Sequence, residues 1–221
     1  MSFQRARNKE QREIRRRAIL DTAAAMLDEM PVAEVTLNEL SRRVGLAKSN
    51  VLRYFESREA VLLELLDIFL ESWLAQLANE LSAGVEAQAA PQARAGQLAE
   101  ILSRSLAERV VLCDLFGAKG GILEHNISVE VVKRHKRSSL TLLATMSDLV
   151  RRHLPELGDE APLFCLMSLV SAGALSAYVP PPPSVLAAYA DEPALGVFHM
   201  ELRDALRHSF TAALVGMLPR D

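Results

Sequence analysis

The chain has 221 residues, of which 50% are apolar and 24% charged, and its net charge is −3 at pH 7. This length fits one or two domains with a sizeable core, and the small negative charge excludes a uniformly basic nucleic-acid coat. The charge is unevenly distributed, because residues 1–60 carry 12 Lys/Arg against 9 Asp/Glu, whereas residues 61–221 carry 13 against 19. A basic head on an acidic body predicts that only the head meets a polyanion.

The two cysteines, Cys113 and Cys165, lie in apolar surroundings and show no metal-ligand spacing. They are expected to be reduced and to serve as small core residues. The charged N-terminus lacks the apolar segment of a signal peptide, which favours a cytoplasmic protein. Neither a nucleophile elbow nor a phosphate-binding glycine loop is visible, so we expect no enzyme, no cofactor and no metal.

Helices are expected throughout, because alanine and leucine dominate and no run alternates like a strand. The first helix is predicted over residues 13–30, with residues 1–12 frayed. Arg12, Arg15 and Arg16 near its start oppose the helix dipole, so helix stability does not explain them. Contact with phosphates would explain them, and a solvated run of charge is the alternative.

The stretch Thr36–Arg58 predicts two short helices around a tight turn. Thr36 and Glu39 form a Thr-x-x-Glu capping box at the start of the first helix. Gly45 supplies the left-handed residue on which such a helix ends, and a second helix follows over Lys48–Phe55. This arrangement is typical of a helix-turn-helix that binds DNA; an αα-hairpin with a solvated charged face is the alternative.

The body is predicted to be a series of further helices. Ser57 is a good N-cap, and the helices are expected at about 58–82, 97–116, 121–125, 129–153, 162–178 and 195–218, with a linker at 83–92 and a Pro-rich loop before the last helix. The run Ala161–Ala190 contains no charged residue. It is too short and too rich in Ser, Gly and Pro for a membrane span, so we expect no membrane contact but a helix buried in a subunit interface.

At residues 17–29 and 35–65 the sequence reads RAILDTAAAMLDE and VTLNELSRRVGLAKSNVLRYFESREAVLLEL. These segments, followed by an all-helical body, resemble the TetR (tetracycline-repressor-like) family of transcriptional regulators. The family usually has Tyr and His in the recognition helix where this chain has Leu52 and Tyr54. The operator is therefore expected to differ from those of better-known relatives.

The resemblance implies an all-α fold with a three-helix helix-turn-helix head (residues 1–58), joined by a long helix to a ligand-binding and dimerisation body (residues 59–221). It implies a homodimer that binds a pseudo-palindromic double-stranded DNA operator. The expected function is a repressor released by a small, largely apolar inducer. A regulator that activates, or that works without a ligand, is the alternative.

Three sets of residues carry these functions. The candidate DNA-binding residues are Thr36, Asn38, Arg42, Lys48, Ser49, Asn50, Leu52, Arg53, Tyr54 and Arg58. The candidate ligand-binding residues are Phe116, Leu123, Met146, Met167, Ser171 and Tyr178, with ordinary core packing as the alternative. The candidate dimer-interface residues are Ser168, Ala172, Ser176, Leu202, Leu206 and Phe210.

Overall fold

The computed structural model describes residues 2–219, with side chains from residue 10 onward. The described residues form ten α-helices and no strand, so the prediction of an all-α fold is confirmed. The helices are α1 (Ser2–Glu29), α2 (Leu37–Val44), α3 (Lys48–Val51), α4 (Arg58–Gly84), α5 (Pro91–Ala107), α6 (Val110–Ala118), α7 (Val129–His153), α8 (Ala161–Ser176), α9 (Pro183–Asp191) and α10 (Leu202–Met217). Short 3-10 turns cover Val32–Glu34, Pro155–Glu160 and Pro193–Phe198, and a π-helical turn covers Lys119–Leu123.

Local capping signals fix the start and the end of α2. The Thr36 hydroxyl accepts a hydrogen bond from the Glu39 backbone N–H at 3.2 Å, and Gly45 adopts the predicted left-handed conformation with φ of 69°. The second half of the predicted capping box is wrong. The Glu39 carboxylate accepts hydrogen bonds from Arg42 and Arg43, which lower the pKa of Glu39 to about 2.

Helix α4 joins the head to the body. The Ser57 hydroxyl caps it by accepting from the Ala60 N–H, and its 27 residues span about 40 Å. Its buried side chains pack against α1 in the head and against α5, α6 and α7 in the body. Helix α8 lies between α6, α7 and α10 on the other side of the body.

Several predicted boundaries are wrong, among them the start of the last helix, which is Leu202 rather than residue 195. Three of the differences have an identifiable reason. Helix α1 begins at Ser2 rather than near Glu13, because residues 2–12 contain good helix formers and no Gly or Pro. The single helix predicted at 97–116 is two helices, since the chain leaves helical geometry at Arg109 without a Gly or Pro to signal it. The predicted Pro-rich loop contains α9, which begins at Pro183 in its first turn.

The two cysteines are buried and free, as predicted. Burial raises the pKa of both thiols to about 12, so neither forms the reactive thiolate near neutral pH. We expect a thiol reagent such as DTNB to label neither Cys113 nor Cys165 in the native protein at pH 8, and to label both in denaturant. Labelling of the native protein that is complete as fast as that of the unfolded protein would contradict this burial.

No helix within residues 2–219 is long and apolar enough to cross a membrane.

Candidate DNA-binding surface and ligand cavity

The recognition segment is shorter than predicted but presents the predicted face. Helix α3 covers only Lys48–Val51, and tighter turns continue it, as Tyr54 N–H donates to the Val51 carbonyl at 2.9 Å. Val51 and Phe55 are buried, which turns the rest of the segment outward. Among the predicted residues Lys48, Ser49, Asn50, Leu52 and Arg53 are exposed, and Tyr54 is half-buried.

The residues at the start of α2 are also accessible. Thr36, Asn38 and Arg42 are exposed on the head, and the Arg42 guanidinium is held by the Glu39 carboxylate. Because this pair lies at the surface, an approaching phosphate can compete for Arg42 at little cost.

Arg58 was predicted as a phosphate clamp, and its contacts do not support that role. Its guanidinium donates to the Val35 carbonyl at 2.5 Å and pairs with the buried Glu59 carboxylate at 2.9 Å. These contacts fasten the loop before α2 to the start of α4. In this structure Arg58 stabilises the head, and its role as a phosphate clamp stays a prediction.

A cavity of about 830 Å³ lies between α6, the π-helical turn, α7 and α8. Its walls are mostly apolar and include four glycines. The residues that line it include Pro31, Ala33, Asp114, Phe116, Gly117, Lys119, Gly120, Glu124, Lys136, Leu143, Leu169, Val170, Gly173 and Ser176.

Only one predicted ligand residue, Phe116, lines this cavity. Leu123 and Met146 are fully buried in the core, so they belong to packing. Met167 and Tyr178 are exposed, and the half-buried Ser171 is also absent from the cavity wall. The types of these residues, apolar or hydroxyl-bearing, do not indicate which of them line a cavity and which pack in the core or face solvent.

Two lysines and one glutamate mark a polar end of the cavity. Lys136 Nζ lies 2.6 Å from Glu124 Oε1, and Lys119 Nζ lies 4.0 Å from the same oxygen. Burial lowers the pKa of Lys119, with a further contribution from the nearby Lys136 charge. One carboxylate is thus shared by two ammonium groups. Because each ammonium has three N–H donors, both lysines can still donate to an acceptor on a bound molecule.

The cavity wall includes part of the head. Pro31 and Ala33, in the link between α1 and α2, line it. Asp114 of α6 also lines it, and its Oδ2 accepts a hydrogen bond from Val32 N–H at 2.8 Å. A molecule in the cavity would therefore contact the same carboxylate that holds the head's 3-10 turn.

A second hydrogen bond joins the head to the body. The Glu56 carboxylate, which follows the recognition segment, accepts from the Ser128 N–H at 2.5 Å at the start of α7. The head is therefore fastened to both α6 and α7, the two helices that flank the cavity.

Five of the six predicted interface residues are buried within the single chain. Ser168, Ala172, Leu202, Leu206 and Phe210 face α5, α6 and α8 rather than solvent, and Phe210 stacks edge-to-face on Phe164. In this conformation these side chains pack within the single chain, and their place in a dimer interface stays a prediction. The sixth, Ser176, lines the cavity.

Helix α8 also has an exposed apolar face. Leu163 and Met167 are about half-exposed, at 49% and 48%, and Val170, exposed at 53%, lies at the cavity wall. The sequence predicted an apolar helix here but not which side would be buried, because the helix has no charged face to set the contrast.

Within the described part of the chain, no group of three or more His, Cys, Asp or Glu side chains is placed to hold a metal ion.

Comparisons with known proteins agree with this architecture. Residues 19–65 match the family model for bacterial regulatory proteins of the tetR family, and residues 69–221 match the tetracyclin repressor-like C-terminal domain. The HTH-type transcriptional regulator EthR of Mycobacterium tuberculosis is 42% identical over 50 residues. That match spans 23% of this chain and 23% of EthR.

Solved structures share the fold across nearly the whole chain. The repressor FadR of Thermus thermophilus, in complex with lauroyl-CoA, has a TM-score of 0.58 at 18% identity and covers 93% of this chain and 96% of its own. FadR of Bacillus subtilis, in complex with stearoyl-CoA, has a TM-score of 0.53 at 14% identity and covers 91% and 98%. The helix-turn-helix surface, the helical body and the two family models together establish that this chain belongs to the TetR family of transcriptional regulators.

Proposed function

We propose that this protein is a dimeric, sequence-specific repressor that a small, largely apolar ligand releases from its operator. In this proposal residues 1–58 bind DNA and residues 59–221 bind the ligand and the second copy. The observation that carries it is the shared wall: Asp114 borders the cavity and also holds Val32 of the head. A regulator that activates, or that needs no ligand, remains the alternative.

DNA recognition is assigned to the exposed side chains of the recognition segment. Asn50 suits a hydrogen bond to a base edge in the major groove, and Lys48 and Arg53 suit phosphates. Leu52 stands on the same face, where an apolar side chain can contact a thymine methyl group. The remaining assigned contacts are Thr36, Asn38, Arg42, Ser49 and Tyr54.

The ligand is assigned to the 830 Å³ cavity, whose volume lies in the range of small-molecule sites. Apolar walls from Leu143, Leu169 and Val170 suit a hydrocarbon portion, while Lys119 and Lys136 suit a polar acceptor at one end. The acyl-CoA ligands of the two FadR proteins have this same division into an apolar chain and a polar end. We therefore propose an amphipathic ligand with an apolar tail.

Release from DNA would follow from unequal binding to two states of the protein. A ligand that fits better when α6 is displaced favours the state in which Asp114 no longer holds Val32 in place. The head spacing that suits two successive major grooves is then lost. The ligand can shift this equilibrium only by its difference in affinity for the two states.

Dimerisation is assigned to the outer face of α8 together with α9. Leu163 and Met167 are apolar and about half-exposed on α8. Helix α9 has nine residues and none of them is buried, although so short a helix is marginal in water without packing. Helix α8 and residues 183–190 of α9 lie within the charge-free run, so a second copy that packs on these elements meets one charged side chain, Asp191 at the end of α9.

The DNA-binding half of the proposal is tested by selection from a pool of random duplexes with the purified protein. We expect enrichment of a two-fold symmetric sequence whose half-sites are centred about one helical turn apart. Enrichment of no sequence after repeated rounds would contradict sequence-specific binding. A promoter-reporter assay with the selected site separates repression from activation.

The ligand half is tested by native mass spectrometry of the protein purified from its own cells. We expect an added mass that is lost on denaturation and whose extracted compound releases the protein from the selected duplex. The matched variant is Leu169→Trp, which fills the cavity from α8 and should reduce both the added mass and the release. Equal binding by this variant would place the ligand elsewhere.

The dimer is tested by placing a charge on the proposed interface. Met167→Glu puts two carboxylates into the two-fold contact, so we expect a monomer in sedimentation velocity where the wild type is a dimer. Val129→Glu is the matched control, because Val129 is likewise exposed at 67% but lies at the start of α7. A Met167→Glu dimer as tight as the wild type would move the interface away from α8.

A further inference from the structure

A basic hollow lies between the start of the described part of α1 and the end of the recognition segment. Gln11, Arg12 and Arg15 line it from α1, and Arg53 and Tyr54 line it from the turns after α3. Its volume is about 350 Å³, and no carboxylate lines it. Three guanidinium groups and a phenol therefore converge on one small space.

Within residues 10–219, the arginines of this hollow differ from their neighbours in forming no salt bridge. Arg42 and Arg43 pair with carboxylates of the head, and Arg16 and Arg58 pair with carboxylates of α4. Among the side chains of residues 10–219, by contrast, no carboxylate lies within salt-bridge distance of the three arginines that line the hollow. Three like charges brought together without a counter-charge repel each other, which favours binding of an anion.

Arg12 and Arg15 do not oppose the dipole of α1, contrary to what the predicted helix start near residue 13 implied. Because α1 begins at Ser2, Arg12 and Arg15 stand well inside the helix rather than at its positive end. Their placement therefore costs little helix stability. What needs an explanation is that Arg12 and Arg15 line the same small hollow as Arg53.

The hollow is preorganised by Arg16, which follows Arg15 in the sequence. Its guanidinium lies 4.2 Å from the centroid of the Phe55 ring, donates to the Tyr54 carbonyl at 3.2 Å and pairs with Glu64 of α4. This one side chain fixes α1 and the end of the recognition segment relative to each other and to α4. The two halves of the hollow are thus held in place before any anion binds.

We propose that this hollow binds one phosphate of the operator backbone in each head, outside the base-reading face. The proposal rests on the DNA-binding function proposed above. Guanidinium groups suit the tetrahedral phosphate because they donate paired, charge-assisted hydrogen bonds. The Tyr54 hydroxyl adds a neutral donor. Arg12 and Arg15 thereby become DNA contacts, although the helix-turn-helix motif does not include them.

This contact also ties phosphate binding to the position of α4. Because Arg16 anchors both sides of the hollow to Glu64, a movement of α4 would displace Arg15 and Tyr54 together. The phosphate contact therefore belongs to the DNA-competent arrangement of the head and is weakened when that arrangement is lost.

The test compares the salt dependence of DNA binding for the double variant Arg12→Gln/Arg15→Gln with that of the wild type. The probe is the duplex selected by the wild-type protein, with a scrambled duplex of equal length beside it. Each phosphate contact contributes about 0.9 to the slope of log K against log salt concentration. A dimer that loses two contacts should show a slope smaller by about 2, with similar loss of affinity on both duplexes.

The matched control is Arg137→Gln/Arg152→Gln, which removes the same charge from exposed positions on α7 in the body. We expect the wild-type slope from it. A wild-type slope for the Arg12→Gln/Arg15→Gln variant with an unchanged melting temperature would overturn the phosphate assignment. If the wild-type protein selects no duplex, the DNA-binding function itself fails, which is a separate outcome.

The hollow could instead bind a soluble phosphate ion. This alternative is tested by adding inorganic phosphate at constant ionic strength. We expect phosphate to raise the melting temperature of wild type and double variant no more than an equal ionic strength of chloride. Stabilisation of the wild type alone by phosphate, combined with an unchanged DNA slope, would assign the hollow to a soluble anion and overturn the proposal.

Discussion

Replacing Trp73 by alanine is expected to destabilise the protein by about 3–5 kcal/mol, as is usual when a large aromatic side chain is removed from a core. Trp73 is 1% exposed on α4, and its indole N–H donates to the Ser105 hydroxyl of α5 at 3.1 Å. Truncation leaves a cavity at the junction of α4 with the body and removes a buried hydrogen bond. The measurement is equilibrium unfolding in urea at fixed protein concentration.

Trp73→Phe is the control that separates packing from hydrogen bonding. It keeps a buried six-membered ring and removes the indole donor together with the five-membered part of the ring, while Ser105 still donates to the Leu102 carbonyl at 3.2 Å. We expect a loss of less than half that of the alanine variant, because a single hydrogen bond contributes about 0.5–1.5 kcal/mol. Equal losses for both variants would show that the hydrogen bond, not the packing, dominates at this position.

Replacing Gly173 by alanine is expected to force α6 and α8 apart. An added methyl group would lie 2.5 Å from Gly117 N and 2.7 Å from the Phe116 carbonyl carbon, and these backbone atoms cannot move without shifting α6. Overpacking of this kind costs about 1–3 kcal/mol, or about 2–4 °C in melting temperature for each kcal/mol. Since α6 carries Asp114, which holds the head, we also expect weaker operator binding.

Gly120→Ala is the matched control for this substitution. Gly120 lines the same cavity, but an added methyl group there would have nothing within 4 Å. It should leave both the melting temperature and the affinity for the selected duplex near wild type. The packing explanation would fail if Gly173→Ala behaved like Gly120→Ala in both measurements.

The head was predictable because its determinants lie within a few residues of one another. The Thr36 cap, the left-handed Gly45 and the Ser57 cap are local signals, and each forms the expected contact or conformation. The role of Arg58 was not predictable in this way. A surface position and a positive charge suggest phosphate, whereas its partners come from the loop around Val35, which is distant in sequence.

The body was predictable as a set of helices but not as a set of contacts. Helix α8 has no charged residue, so periodicity could not distinguish its inner from its outer side. Ala172, predicted at a subunit interface, is buried within the single chain, next to the close approach of α8 to α6 at Gly173, while Met167 stays exposed.

The cavity could not be predicted because its wall combines elements that are far apart in the chain. A hydrophobic pattern states which side of each helix is buried, but not where two buried sides leave a space between them. Gly117 directly follows the helix predicted at 97–116, and it lies in the wall of the cavity. Asp114 and Lys119 carried no signal, since each is an ordinary charged residue in an amphipathic segment.

The hydrogen bond between Asp114 and Val32 has a consequence for how this protein can evolve. Substitutions at Pro31, Ala33 or Asp114 alter the shape of the cavity and, at the same time, the contact between the head and α6. If the cavity holds the proposed inducer, a lineage that acquires a new ligand through these positions also changes its affinity for DNA. Under the same proposal, substitutions at Leu169 or Leu143, which line the cavity and lie outside the head, let recognition of the inducer diverge without altering the contact between Asp114 and Val32.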